Sequence, residues 1–138
     1  MKKLYLIVLI ALVVSSGFAQ KTTLSLTSFN EIDVFGPFDV KLIKSDTEKA
    51  EIDFNGIDKE DIVYEFQKGT LKLKLKNRHY MDEWKNDHRG SRYILVSVYY
   101  KDIDVIEAAA GALVTSKETL KSKYLSIECN MGAEVTLD

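Results

Sequence analysis

Ile106-Glu107-Ala108-Ala109-Ala110-Gly111-Ala112-Leu113-Val114 and Ile127-Glu128-Cys129-Asn130-Met131-Gly132-Ala133-Glu134-Val135 are related stretches 21 residues apart, with Ile, Glu, Gly, Ala and Val in register. A coil of a parallel β-solenoid takes on the order of twenty residues, and stacked coils set like side chains over like. Small Ala108 and Cys129 then suit a crowded layer, and Gly111 and Gly132 suit a corner that needs unusual backbone angles. The competing reading is a chance match between two short strands of a sandwich. An earlier echo favours the solenoid: Ile32 and Val40 have the same spacing of eight, although Gly36 sits one place out of line with the later glycines.

Outward from the repeat, the pattern has a period of two. Leu71, Leu73 and Leu75 interleave with Lys72, Lys74 and Lys76, so one face of a strand is apolar and the other charged. Val40 with Leu42, Ile52 with Phe54, Ile62 with Tyr64 and Phe66, and Ile94 with Val96 and Val98 repeat the alternation. Gly36-Pro37, Asn55-Gly56 and Lys68-Gly69 separate these runs with turn chemistry. Helical spacing is limited to one candidate turn around Tyr80 to Asn86. The lysine stripe reads as edge protection on a solvated strand. An all-β domain is expected, wound as a parallel β-solenoid.

The start of the chain reads as an export signal. Lys2 and Lys3 precede an uncharged run from Leu4 to Val14, and Gly17 and Ala19 supply the small residues a signal peptidase reads, so cleavage is expected before Gln20. The apolar run spans only about half of a roughly 30 Å hydrocarbon layer, which argues against a membrane anchor. Residues 1–19 form the leader and 20–138 a single domain. No later segment is apolar enough to cross a bilayer as a helix, so a soluble exported protein is expected.

Composition fits a packed chain: 46% hydrophobic, 29% charged, one Pro and seven Gly among 138 residues. The formal charge of −2 becomes −4 without Lys2 and Lys3, which leaves no cationic excess to neutralise phosphates and excludes nucleic acid as the expected partner. The sole cysteine, Cys129, cannot form an internal disulfide; it reads as a small buried side chain, with an intermolecular disulfide as the alternative.

Candidate chemistry concentrates in the polar stretch Asn77 to Ser91. His79, Asp82, Glu83, Asp87 and His88 are the only clustered metal-ligand types, with His79, Asp82 and His88 the nearest to a set, but their spacing matches no standard site, and no metal or other cofactor is expected. Tyr80 and Trp84 are four apart, as on one side of a helical turn, and could stack on a sugar or a partner protein; covering an open face of the domain is the competing role. Asp102 with Asp104, and Asp58 with Asp61, fit neither a calcium loop nor a tuned acid/base pair. No strained Gly-x-Ser-x-Gly turn and no phosphate-cradling glycine motif occurs.

The segment Phe29 to Leu42, then Gly69 to Leu73, Tyr93 to Tyr100 and the step Ala110-Gly111-Ala112, resembles the head GIN domain family, described as autotransporter adhesins. The resemblance covers nearly all of the chain after the leader. It implies a right-handed β-solenoid, a place in the periplasm, at the cell surface or outside the cell, and no catalytic residues. Family members usually continue with further coils after the Gly-Ala step, whereas this sequence ends at Asp138. Missing coils, or an end covered by self-association, would account for that departure. The function expected is a non-catalytic binding or structural module that contacts surface polysaccharide or an envelope protein. The alternative is a polysaccharide-acting enzyme on the same scaffold, which rests on fold analogy alone.

Overall fold

Period-two alternation produces strands, and a computed structural model describes them over residues 21–54, 59–76 and 93–138. In chain order they are β1 (Lys21–Ser25), β2 (Glu31–Phe35), β3 (Phe38–Lys44), β4 (Lys49–Asp53), β5 (Ile62–Gln67), β6 (Thr70–Leu75), β7 (Ile94–Tyr100), β8 (Val105–Ala109), β9 (Leu113–Ser116), β10 (Ser126–Cys129) and β11 (Glu134–Thr136). A single 3-10 turn, Lys59–Asp61, precedes β5. Among the described residues no helix is long and apolar enough to cross a membrane.

The strands form two sheets, ordered β1-β4-β7-β3-β9-β11 and β10-β8-β2-β6-β5. The repeat seen in the sequence is a structural register. Ile32 pairs with Ile106 and Ile106 with Ile127 in one sheet; Val40 pairs with Val114 and Val114 with Val135 in the other, all between parallel strands. The row continues to β6 and β7, where Leu71 lies beside Ile32 and Val96 beside Val40. Four layers result, and the one built from β2 and β3 lies between those built from β6/β7 and β8/β9.

The fold is all-β, but the sheets are mixed and do not close into the uniform parallel solenoid expected. β4 runs antiparallel to both β1 and β7, and β5 antiparallel to β6. The connections dictate this. Lys68-Gly69 is a two-residue turn, which can join only antiparallel neighbours. The short link between β3 and β4 turns the chain back with β7 between them, and Ser45 N–H donates to Tyr100 C=O there (2.9 Å).

The corners of the last two layers share one geometry. Ala110 and Gly111 have φ of 57° and 80°, and Met131 and Gly132 have 51° and 77°, so each corner has two consecutive left-handed residues, as in a type I′ turn. Gly111 N–H donates to Met131 C=O (3.2 Å), which ties one corner to the next. The buried positions of one row narrow along the stack from Leu73 through Val34 to Ala108, and Cys129 follows them. Phe38, Phe54, Ile32, Ile106, Val40 and Val114 are all fully buried between the sheets.

Two expectations are corrected. Cys129 is exposed, because it follows buried Ala108 in a row that no described strand continues. The lysine stripe lies on β6, an interior strand between β2 and β5, so it does not protect an edge; Lys72 instead sits between Asp33 and Glu65, with its Nζ 3.9 Å from the Asp33 carboxylate.

Candidate functional site

β7 lies inside the six-stranded sheet, with β4 and β3 on its two sides. Because Ile94, Val96 and Val98 point into the core, Leu95, Ser97 and Tyr99 point outward. Their neighbours follow from the register. Leu95 is flanked by Asp53 and Asp39, Ser97 by Glu51 and Lys41, and Tyr99 by Lys49 and Ile43. At the strand spacing of about 4.8 Å, these rows set Leu95 and Ser97 among four charged side chains, with Tyr99 and Ile43 in the next row.

This face contains a shallow groove of 180 Å³ lined chiefly by Lys21, Asp39, Lys41, Glu51, Asp53, Leu95 and Ser97. Leu95 is 41% exposed. Lys49 stands beside the lining residue Glu51: its Nζ is 3.0 Å from a Glu51 oxygen and 4.6 Å from the centre of the Tyr99 ring. The hydrogen bond to Glu51, together with that residue's charge, raises the Lys49 ammonium above its ordinary pKa. The groove thus offers carboxylate acceptors, ammonium donors, a hydroxyl and an aliphatic patch within two strand spacings. That combination suits a polyol, whose hydroxyls need both donors and acceptors and whose C–H faces need an apolar seat.

The sequence-predicted site residues fall elsewhere. His79, Tyr80, Asp82, Glu83, Trp84, Asp87 and His88 lie outside the described residues; the chain leaves β6 at Lys76 and enters β7 at Ile94. Asp104 ties the layers together: one oxygen accepts from Asn30 Nδ2 (3.2 Å) and the other from Ser122 Oγ (2.8 Å). Asp102 lies 3.9 Å from Lys44 Nζ. Sequence reasoning missed the groove. The available signal was Leu95, an apolar residue out of phase with Ile94, Val96 and Val98.

Residues 28–138 match the model of a family described as "Putative auto-transporter adhesin, head GIN domain". Solved structures of similar fold include a "putative adhesin" from Parabacteroides merdae ATCC 43184, with TM-score 0.63 and 18% identity over 83% of this chain and 45% of that one. A "putative adhesin" from Bacteroides fragilis NCTC 9343 gives TM-score 0.67 and 16% identity over 88% of this chain and 56% of that one. A "Putative lipid binding protein" from Parabacteroides distasonis ATCC 8503 gives TM-score 0.64 and 15% identity over 87% and 52%. At these identities the likeness is one of fold, and this chain spans about half the length of each. No curated protein matches the sequence.

Proposed function

This chain belongs to the head GIN domain family, and from that premise we propose that it is an exported, adhesin-like binding module that holds a surface polysaccharide, without catalysis, against the outer face of its six-stranded sheet. The groove over Leu95 and Ser97 carries this reading, because it offers donors, acceptors and an apolar seat on a flat face. Residues 1–19 direct export and are removed before Gln20, which leaves the domain in the periplasm, at the cell surface or outside the cell. Its layers act as coils of a right-handed β-solenoid, a scaffold that presents a long regular surface.

Affinity electrophoresis in gels containing purified envelope polysaccharide tests the reading. Mobility of the native protein should fall as polymer is added. Leu95→Ala combined with Asp39→Ala should weaken that retardation about fivefold or more, in line with loss of one apolar contact and one hydrogen-bonded group. Equal retardation of the two proteins, or none of either, would reject the groove. Shortening of the polymer during incubation would favour the enzymatic alternative.

A further inference from the structure

The groove of the six-stranded sheet holds charges that the fold does not use. Among its lining residues Glu51 pairs with Lys49, and Asp53 also has a partner. The side chains of Lys21, Asp39 and Lys41 have no ion-pair or hydrogen-bond partner among the described residues. Asp39 and Lys41 are of opposite sign and stand on the outer face of β3, on either side of buried Val40. Two residues along a strand is about 7 Å, and they do not pair. Lys21 is in the same cross-strand row as Asp39, three strand spacings away on β1, or roughly 14 Å. Asp39, Lys41, Leu95 and Ser97 lie on β3 and β7, each of which has a ladder partner on both sides, so their arrangement is fixed by the interior of the sheet.

With Lys49 included, three ammonium groups, Lys21, Lys41 and Lys49, stand against three carboxylates, Asp39, Glu51 and Asp53. The groove therefore has no net charge to draw a polymer of one sign. A polyanion laid there meets Asp39 and Asp53, and a polycation meets Lys21 and Lys41, so each is opposed by like charges. On the reading that this groove seats a polysaccharide, we infer that the polymer is zwitterionic, with a protonated amine and an anionic group in its repeat. The amine donates to the Asp39 carboxylate beside Leu95, and the anionic group accepts from the Lys41 ammonium. A chain crossing the strands from β3 toward β1 brings a further anionic group to Lys21. Each unpartnered charge then gains a charge-assisted hydrogen bond, which is stronger than the bond a neutral hydroxyl supplies.

Carboxymethyl chitosan, which carries amines and carboxylates on one chain, is the probe. Its N-acetylated form keeps only the carboxylates; alginate is anionic, chitosan cationic and dextran neutral. Biolayer interferometry with immobilised protein compares the five at mildly acidic pH, where sugar amines are protonated and carboxylates ionised. Carboxymethyl chitosan should bind about tenfold more tightly than any of the others, and its advantage should fade in about 0.5 M NaCl, which screens exposed charges. Asp39→Asn should weaken its binding about fivefold and leave the N-acetylated form unaffected, whereas Lys41→Gln should weaken both. Both substitutions keep side-chain size on an outer face, and circular dichroism will verify the fold. Equal affinity for the amine and N-acetylated forms, an Asp39→Asn deficit that survives acetylation, or native affinity in Lys41→Gln would overturn the inference. If Leu95→Ala still weakens binding in those cases, the groove stands as a glycan seat without the charge preference. Indifference of every affinity to Leu95→Ala, or no binding of any polymer, would reject the groove and the zwitterionic ligand together.

Discussion

Glu107 stands directly opposite Glu128 across the parallel ladder of β8 and β10. Asp33 is its neighbour on the other side, so the outer face carries three carboxylates in one row before Lys72 is reached. Partial burial first, then Asp33, Glu31 and Glu128, raise the Glu107 pKa above the ordinary glutamate value, and Lys72 lowers it. The folded state therefore holds the proton more tightly than the unfolded chain. The stability gained by protonation is fully present below the unfolded pKa and is lost as pH rises through the folded one.

Glu107→Gln should accordingly stabilise the protein at pH 7, by about 0.5 kcal/mol, the scale of like charges facing across a ladder. The difference should shrink as the pH falls below the raised pKa, where the native residue is already neutral. Urea denaturation of both proteins at pH 7 and pH 4 would measure it.

The unequal burial within one row sets a second expectation. Ile106→Ala should cost about 2–4 kcal/mol through lost burial and an unfilled cavity. Ile127→Ala removes the same atoms from a half-exposed position, and its cost in dilute protein should stay below about 1 kcal/mol. Comparable costs would mean that the last layer is covered.

Corner geometry sets a third. An added Cβ at Gly111 meets nothing within 4 Å, so Gly111→Ala tests backbone conformation alone at φ 80°. A loss of about 1 kcal/mol is expected from an L-residue forced into that region. Ala110→Gly, at φ 57° in the same turn, should not destabilise the fold. Thermal unfolding of the two variants would show the asymmetry.

Tyr80→Ala with Trp84→Ala is the fourth. If these rings assist glycan binding, the double variant keeps its circular dichroism spectrum and loses polymer retardation. Loss of the fold would assign both rings to the core.

The layers were legible in the sequence because stacking repeats side-chain type at a fixed interval, as Ile106/Ile127 and Val114/Val135 do. Strand neighbours were not. A period of two identifies the inward face of β4 or β6 but carries no information about which strand lies alongside. The antiparallel pairing of β4 with β7, and the interior place of the lysines on β6, followed only from the assembled topology. The groove was hidden for a similar reason, since Asp39, Asp53 and Leu95 come from three separate strands and meet only through register.

The interleaving of β2 and β3 between later strands also sets an order of events. Their ladder partners on β7, β8 and β9 extend to Ser116, so neither strand has both neighbours until most of the polypeptide has been made. Such long-range pairing makes folding slow, because loop closure must precede any gain from contact. A nascent chain with that wiring can complete its two inner strands only after β7, β8 and β9 have all been synthesised.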